Sequence, residues 1–203
     1  MLAGARRLPG SEGNPSDGPS DGIRRWPFGT GRAWSEDPTI RRMRALIVFD
    51  TAFGNTEQIA RAIGAALSPH GRVTVESAAG APVPDPASID LLIVGGPTQK
   101  HHASPALTAW LDRLGPRSLR DLPAAAFDTR YRMAALISGS AAGVAGKSLR
   151  RAGCRLIVAP ESFFVERDRS PSGQKPRHDT ERMEAGEIER AAAWAASLLR
   201  AMG

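Results

Sequence analysis

One stretch of the sequence combines the start of a helix with residue types that bind anions. It reads DTAFGNTEQIARAI, residues 50–63, and it follows the apolar run RALIVF at 44–49. A continuous apolar run is typical of a strand that is buried on both faces, so the chain is predicted to turn here from a strand into a helix. Gly54 permits the positive φ of a sharp turn, Thr56 suits the helix cap, and Glu57 suits the first helical turn.

Hydrogen-bond donors would gather at this turn. The backbone N–H groups from about Ala52 to Thr56 have no acceptors within the helix, and the positive end of the helix dipole lies beside them. The hydroxyl groups of Thr51 and Thr56 and the side-chain amide of Asn55 add further donors. Such an arrangement binds a phosphate without a lysine. An ordinary capped turn would use the same residues, so the spacing leaves both interpretations open.

The elements that position this turn form an alternating series. Buried or alternating apolar runs predict strands, and apolar residues at helical spacing predict helices between them. The predicted strands cover residues 44–49, 71–77, 88–96, 123–127 and 154–166, and the predicted helices cover 56–67, 104–114, part of 139–152, and 181–201. This alternation indicates an α/β fold whose parallel sheet is covered by helices on both faces.

Ligands of such sheets bind at the carboxyl ends of the strands, where the topology changes direction. The loops at that edge are therefore the places to search for chemistry. They are predicted at residues 50–56, 96–103 and 128–135.

Composition separates an N-terminal extension from a folded domain. Residues 1–42 are rich in Gly, Pro, Ser and Asp, which predicts disorder, and 43–203 is predicted to form one domain. No apolar run reaches the ~18 residues of a membrane helix. Cys154 is the only cysteine, so we expect a cytoplasmic protein without an internal disulfide or a membrane span. The net charge of +6 is spread along the chain, so we expect no nucleic-acid partner.

Two motifs resemble segments of flavodoxins. TAFGNTE, residues 51–57, resembles the phosphate loop Ser/Thr-x-Thr-Gly-x-Ser/Thr that joins the first strand to the first helix. LIVGGPT, residues 92–98, resembles the Gly-x-Pro-Thr segment that approaches the flavin ring. The resemblance covers about residues 43–201. It implies a flavodoxin-like, doubly wound, five-stranded parallel sheet in the strand order 2-1-3-4-5, with FMN as the cofactor.

The resemblance also implies which residues would bind FMN, carried over position by position. They form a phosphate group and two groups that flank the flavin ring. These are Thr51, Ala52, Phe53, Gly54, Asn55 and Thr56 at the phosphate, Pro97, Thr98, Gln99 and Lys100 on one side of the ring, and Asp128, Thr129, Arg130 and Tyr131 on the other.

The sequence departs from the flavodoxin pattern at several of these positions. Phe53 replaces the middle hydroxyl of the phosphate loop, which removes a hydrogen bond worth about 1 kcal/mol. The second loop has no Trp or Tyr, so His101 or His102 would stack on the ring or, alternatively, lie in solvent. Tyr131 would supply the second stacking face or pack beneath its own loop. Flavodoxins are typically acidic, so this basic chain would need a different charge pattern for docking a partner.

The resemblance implies electron transfer rather than a dedicated dehydrogenase, because no acid or base for a substrate stands out. FMN would supply the redox chemistry, and the partner would be a redox protein or a small-molecule electron acceptor. Two alternatives stay open. One is a flavodoxin-like oxidoreductase for a quinone or porphyrinogen, whose substrate would contact His101, His102 and Arg132. The other is a flavin-free binding or regulatory module, which Phe53 and the missing loop aromatics favour.

A second phosphate motif has a simpler interpretation. AAGVAGKS, residues 141–148, matches a relaxed P-loop, with Lys147 placed for the β- and γ-phosphates of a nucleotide. A P-loop helix continues well past its Lys-Ser pair, whereas Gly153 is predicted to end this helix soon after Ser148. We therefore interpret the segment as a helix of small residues that packs closely on the sheet, with Lys147 and Arg150 in solvent.

Overall fold

A computed structural model describes residues 42–99, 102–132, 139–167 and 181–203. The strands are β1 (Met43–Phe49), β2 (Gly71–Ser77), β3 (Leu91–Gln99), β4 (His102–Ala103), β5 (Pro123–Tyr131), β6 (Arg155–Leu156), β7 (Glu161–Arg167) and β8 (Glu181–Met183). The helices are α1 (Asn55–Leu67), α2 (Pro105–Asp112), α3 (Ala141–Arg151) and α4 (Glu187–Met202).

The long strands form one parallel sheet. Its order is β2-β1-β3-β5-β7-β8, and every pair from β2 to β7 is parallel, while β8 lies antiparallel to β7 at the edge. The two short strands lie off this path, β4 antiparallel to β3 and β6 parallel to β5. Numbered by their order in the chain, the five long parallel strands run 2-1-3-4-5, which confirms the predicted topology.

Both faces of the sheet are buried, as the continuous apolar strands predict. Leu46 and Val48 of β1 belong to a core cluster that includes apolar residues of α2 and α3. Ile47 and Phe49 of the same strand belong to a second cluster, which includes apolar residues of α1 and α4. The helices therefore cover the sheet as two pairs, one pair on each face, and the doubly wound arrangement is confirmed.

Several predicted boundaries were wrong. β5 continues four residues past its predicted end at Phe127, because residues 127–131 pair with β7 and 128–129 also pair with β3. β3 likewise begins at Leu91, not at 88, and continues to Gln99. Much of two predicted ligand loops is consequently regular strand, held by backbone hydrogen bonds that local sequence patterns do not reveal.

The last helix was also predicted to begin too early. Residues 181–183 pair with β7 as β8, and α4 begins only at Glu187, after Gly186 with φ of 85°. The buried Glu187 carboxylate accepts a hydrogen bond from the backbone N–H of Phe164 at 2.9 Å, which fixes the helix start beside β7. The inner face of α4 places Ala191, Trp194 and Leu198 in the core. Within the described ranges, no helix combines the length and apolar content that crossing a membrane requires.

An aromatic cluster fills the core just below the carboxyl edge of the sheet. Phe127, Phe163 and Trp194 meet edge to face, with ring centroids 6.0 to 6.2 Å apart. Gly95 lies opposite Phe127 in the β3–β5 ladder, and a Cβ atom at Gly95 would overlap the Phe127 ring. The glycine is therefore required by packing, because only hydrogen fits beneath the ring.

We predict that Gly95→Ala lowers the free energy of unfolding by about 1–3 kcal/mol, since the buried Phe127 ring must leave its position in a dense core. Urea denaturation measures the loss. Gly80→Ala is the matched control, because a Cβ atom there meets no atom within 4 Å. Equal stability of the two variants would contradict the packing role of Gly95.

Candidate functional site

A cleft opens at the carboxyl edge of the sheet, where β1, β3 and β5 end. Its empty volume is about 330 Å³, including space that is open to solvent. The side chains around it come from the loop after β1, the start of α1, and the ends of the neighbouring strands. They are Thr51, Ala52, Phe53, Asn55, Thr56, Pro97, Thr98, Thr129, Arg130, Tyr131, Val165 and Glu181.

The start of α1 forms one side of the cleft. Gly54 occupies the N-cap with φ of 84°, as its predicted role in the turn requires, and no side chain caps the helix. Thr56 was predicted as the cap, which is wrong, because the helix already begins at Asn55. The first N–H groups of a helix have no partners within it, so these donors and the helix dipole serve the cleft side of the turn.

The Thr56 hydroxyl is used to join two elements. Its Oγ1 lies 2.7 Å from Oγ1 of Thr129 on β5, and both residues are buried. One hydrogen fills the bond between the two oxygens, which leaves the pair with a single hydroxyl hydrogen to donate elsewhere. The pair therefore holds α1 on the sheet and still offers one donor at the cleft.

Thr51 supplies a different kind of donor. Its Oγ1 atom is buried and has no hydrogen-bond partner among the described residues. A buried hydroxyl without a partner costs about 1–3 kcal/mol, so such atoms commonly mark a place where a ligand or water completes the bond. Of the side-chain donors predicted for an anion, Thr51 is the one that remains unused.

Asn55 connects α1 to the edge of the sheet. Its Nδ2 atom donates to the backbone carbonyl of Glu181 at 3.2 Å, and the side chain is almost fully buried. This bond fixes the first residue of β8 against the first residue of α1. The bond leaves Asn55 one amide hydrogen for the cleft, fewer than the sequence suggested.

Asp128 lies beneath the cleft and does not line it. The carboxylate is fully buried, and its Oδ2 accepts from Thr98 Oγ1 at 2.9 Å, from Ser140 Oγ at 2.7 Å and from the N–H of Ala142 at 3.1 Å. The described lining of the cleft therefore does not include Asp128, which was predicted beside the flavin ring. Asp128 instead supplies the negative charge that the start of α3 favours.

The hydroxyl group of Thr98 is also engaged in hydrogen bonds at the floor of the cleft. Thr98 Oγ1 donates to Asp128 and accepts from the N–H of Ala141 at 2.9 Å. Only its methyl group and backbone remain for the cleft. Arg130, by contrast, lines the cleft while its Nη1 donates to the Gly139 carbonyl at 3.1 Å and its Nε lies 4.0 Å from Asp128 Oδ1.

Tyr131 and Glu181 form the far wall. Both residues line the cleft, and the guanidinium of Arg167 lies 5.6 Å from the centre of the Tyr131 ring. Burial, followed by the nearby Glu181 carboxylate, raises the pKa of Tyr131 above its ordinary value of 10.0, while Arg167 opposes this shift. The phenol is thus held in its neutral form beside a carboxylate.

The fold of this chain is also found in solved structures. A flavodoxin from the domain Archaea aligns with 79% of this chain and 99% of its own, with a TM-score of 0.58 and 17% identity. Oxidised flavodoxin 2 from Bacillus cereus covers 77% and 98% of the two chains, with a TM-score of 0.60 and 18% identity. The fold is flavodoxin-like. A WrbA-like protein from Agrobacterium tumefaciens agrees, at a TM-score of 0.56 and 15% identity over 79% and 97% of the chains.

Comparisons by sequence add nothing to this result, since no family model and no curated protein matches the chain.

The flavodoxin-like fold brings most of the predicted site residues together. Ten of the predicted positions line the cleft, whereas Gly54 shapes the turn and Asp128 lies below. Gln99 ends β3, but its side chain lies outside the described residues, as do Lys100 and His101. Two lining residues, Val165 and Glu181, were missed. Glu181 reaches the cleft only through the long-range pairing of β8 with β7, for which the local sequence carries no signal.

Residues proposed for a substrate are placed elsewhere. His102 is exposed in β4 and is not among the lining residues. Arg132 pairs with Glu184 at 2.7 Å and lies over the Phe164 ring at 4.2 Å. The structure therefore gives no support to a substrate contact by either side chain.

The other candidate motifs behave as structural elements. Residues 141–146 of the P-loop-like segment are already helical, so their N–H groups cannot wrap a phosphate, and Lys147 is exposed. Burial raises the pKa of Cys154 to about 11, as expected for a core thiol. Among the described residues, His, Cys, Asp and Glu side chains nowhere form a group of three or more that could hold a metal ion.

We predict that Thr56→Val lowers the free energy of unfolding by about 1–3 kcal/mol, because the buried Thr129 hydroxyl loses its partner. The double variant Thr56→Val/Thr129→Val should regain most of the loss, since both hydroxyls are then replaced by groups of the same shape. Urea denaturation of the two single variants and the double variant gives the coupling energy. Strictly additive losses would show that the two hydroxyls do not depend on each other.

We predict that Tyr131, the only tyrosine of the chain, titrates above pH 10.0 in the folded protein and closer to that value in Glu181→Gln. Tyrosinate absorbance measures this directly. Because the pKa of Tyr131 is higher in the folded than in the unfolded protein, its protonated form stabilises the fold. This contribution to the free energy of unfolding is complete below the pKa of the unfolded chain and is lost as the pH rises through the pKa of the folded protein. Glu184→Gln, which changes charge equally outside the cleft, should leave the titration unchanged. An unshifted midpoint in Glu181→Gln would show that the Glu181 carboxylate does not raise the pKa of the phenol.

Proposed function

We propose that this protein binds FMN in the cleft and transfers electrons to a redox partner protein or a small-molecule acceptor. The observation that carries the proposal is the combination of the helix start and the buried Thr51 hydroxyl, which has no hydrogen-bond partner among the described residues, at the carboxyl edge of a flavodoxin-like sheet. Two of the similar structures are named as flavodoxins, one of them as an oxidised form. The proposal extends to a cytoplasmic location and to a domain covering residues 43–203, with 1–42 as an extension.

The residues of the cleft fit the phosphate end of such a cofactor. The N–H groups at the start of α1, the Thr51 hydroxyl and the remaining hydrogen of the Thr56–Thr129 pair are donors, which a phosphate requires. Phe53 contributes no donor, and its side chain is 49% exposed at the rim. Backbone donors therefore carry most of the phosphate binding in this proposal.

Four of the described lining residues would meet the ring end of the cofactor. Pro97 and the Thr98 methyl would border one side, and the Arg130 and Tyr131 side chains the other. The bound flavin would supply the redox chemistry, while these residues hold it and limit its contact with water. We assign no acid–base pair for a substrate among the described lining residues, and we therefore propose electron transfer and not a dedicated dehydrogenase.

Visible absorption before and after incubation with FMN tests the proposal first. We expect flavin bands that survive desalting and fade on reduction. A protein that remains colourless after incubation would contradict FMN binding, and it would favour the flavin-free module that Phe53 suggests. Turnover of a quinone would instead favour the oxidoreductase alternative.

We further predict that Thr51→Val weakens FMN binding about tenfold or more, as expected when a hydrogen bond to a charged group is lost. Titration of flavin fluorescence gives the affinity. Stability should not fall, because the Thr51 hydroxyl has no partner within the described protein to lose. Riboflavin, which lacks the phosphate, should bind both forms equally. Thr108→Val, which removes a hydroxyl bonded to the Ser104 carbonyl on α2, is the control for a threonine-to-valine change.

A further inference from the structure

We infer that Glu181 is a specificity-determining residue of the cleft, whose carboxylate opposes the phosphate group of FMN and reduces the preference for FMN over riboflavin. The inference rests on the proposed function, because it concerns the flavin that the same cleft would bind. It assigns a role to a residue that sequence patterns place in a helix and that the fold brings into the cleft.

The backbone of Glu181 is held by two neighbours. Its carbonyl accepts from Asn55 Nδ2 at 3.2 Å, and Asn55 is the first residue of α1. It lies opposite Arg167 in the β7–β8 ladder. These contacts keep the residue beside the start of α1, and its side chain lines the cleft together with Tyr131.

Glu181 shares the cleft with the donors proposed for phosphate. Thr51, Asn55 and Thr56 line the same 330 Å³ space as Glu181. A phosphate monoester carries about two negative charges at neutral pH, and a nearby carboxylate repels them. The same oxygens accept hydrogen bonds from hydroxyl groups, and both flavins carry these on their ribityl chain. Glu181 therefore penalises the phosphate without penalising the rest of the ligand.

Neighbouring cations moderate this repulsion but do not remove it. Arg130 also lines the cleft, and its guanidinium lies beside the buried Asp128, which offsets part of its charge. Arg167 lies over the Tyr131 ring on an exposed strand end, where salt screens its field. Among the described residues that line the cleft, Glu181 is therefore the carboxylate that weighs against Arg130.

The test compares FMN and riboflavin affinities of wild type, Glu181→Gln and Glu184→Gln by quenching of flavin fluorescence. We expect Glu181→Gln to strengthen FMN binding about tenfold, as removal of one like charge within several ångströms should. Riboflavin affinity should change less than about twofold, and added salt should shrink the FMN difference. Glu184→Gln is the control, because Glu184 pairs with Arg132 and does not line the cleft.

Each outcome is decisive. FMN affinity that is unchanged in Glu181→Gln, or that rises equally for both flavins, would overturn the inference and leave the proposed function standing. Absence of FMN binding in the wild type and in both variants would overturn the proposed function together with the inference. Selective strengthening for FMN supports both.

Discussion

At Gly54 the backbone takes φ of 84°, a conformation that residues with a Cβ atom rarely adopt. The turn lets α1 begin directly after β1, with its positive end at the carboxyl edge of the sheet. The two residues that follow depend on it. The Asn55 side chain donates a hydrogen bond to the first residue of β8, and the Thr56 hydroxyl is hydrogen-bonded to that of Thr129. Both bonds require the helix to begin where it does. The cleft, its donors and the attachment of the sheet edge all follow from this single turn.

The buried polar groups at this edge are of two kinds: some stabilise the fold, and others are available to bind a ligand. Thr98 and Ser140 donate to Oδ2 of Asp128, which also accepts from the start of α3, so these hydroxyls stabilise the floor of the cleft and offer it little. Thr51 has no such partner. The difference matters for function, because a group that is already satisfied gains nothing from a ligand, whereas an unsatisfied one gains a full hydrogen bond. Glu181 adds a negative charge, which opposes anion binding. In this inference the cleft therefore combines hydrogen-bond donors that attract an anion with a carboxylate that repels it.

Much of the fold could be predicted, because apolar strands buried on both faces and helices with one apolar face leave clear patterns. Strand order and the position of the cleft followed from the same patterns together with the flavodoxin resemblance. The failures share a cause. The extension of β5 to Tyr131 and the strand at 181–183 depend on pairing with β7, and local sequence does not encode pairing between distant segments. Likewise, Thr98 lines the cleft and Asp128 lies beneath it, but which hydroxyl bonds to which carboxylate depends on side-chain geometry that spacing does not determine.

The proposed function requires that the start of α1 binds the phosphate of a flavin. Amide chemical shifts of the isotopically labelled protein, followed during titration with FMN and separately with riboflavin, test this binding. We expect that FMN shifts the backbone amides of residues 52–57, and that riboflavin shifts those at the ends of β3 and β5 while changing 52–57 much less. Shifts confined to another surface, or the same response of residues 52–57 to both flavins, would contradict it.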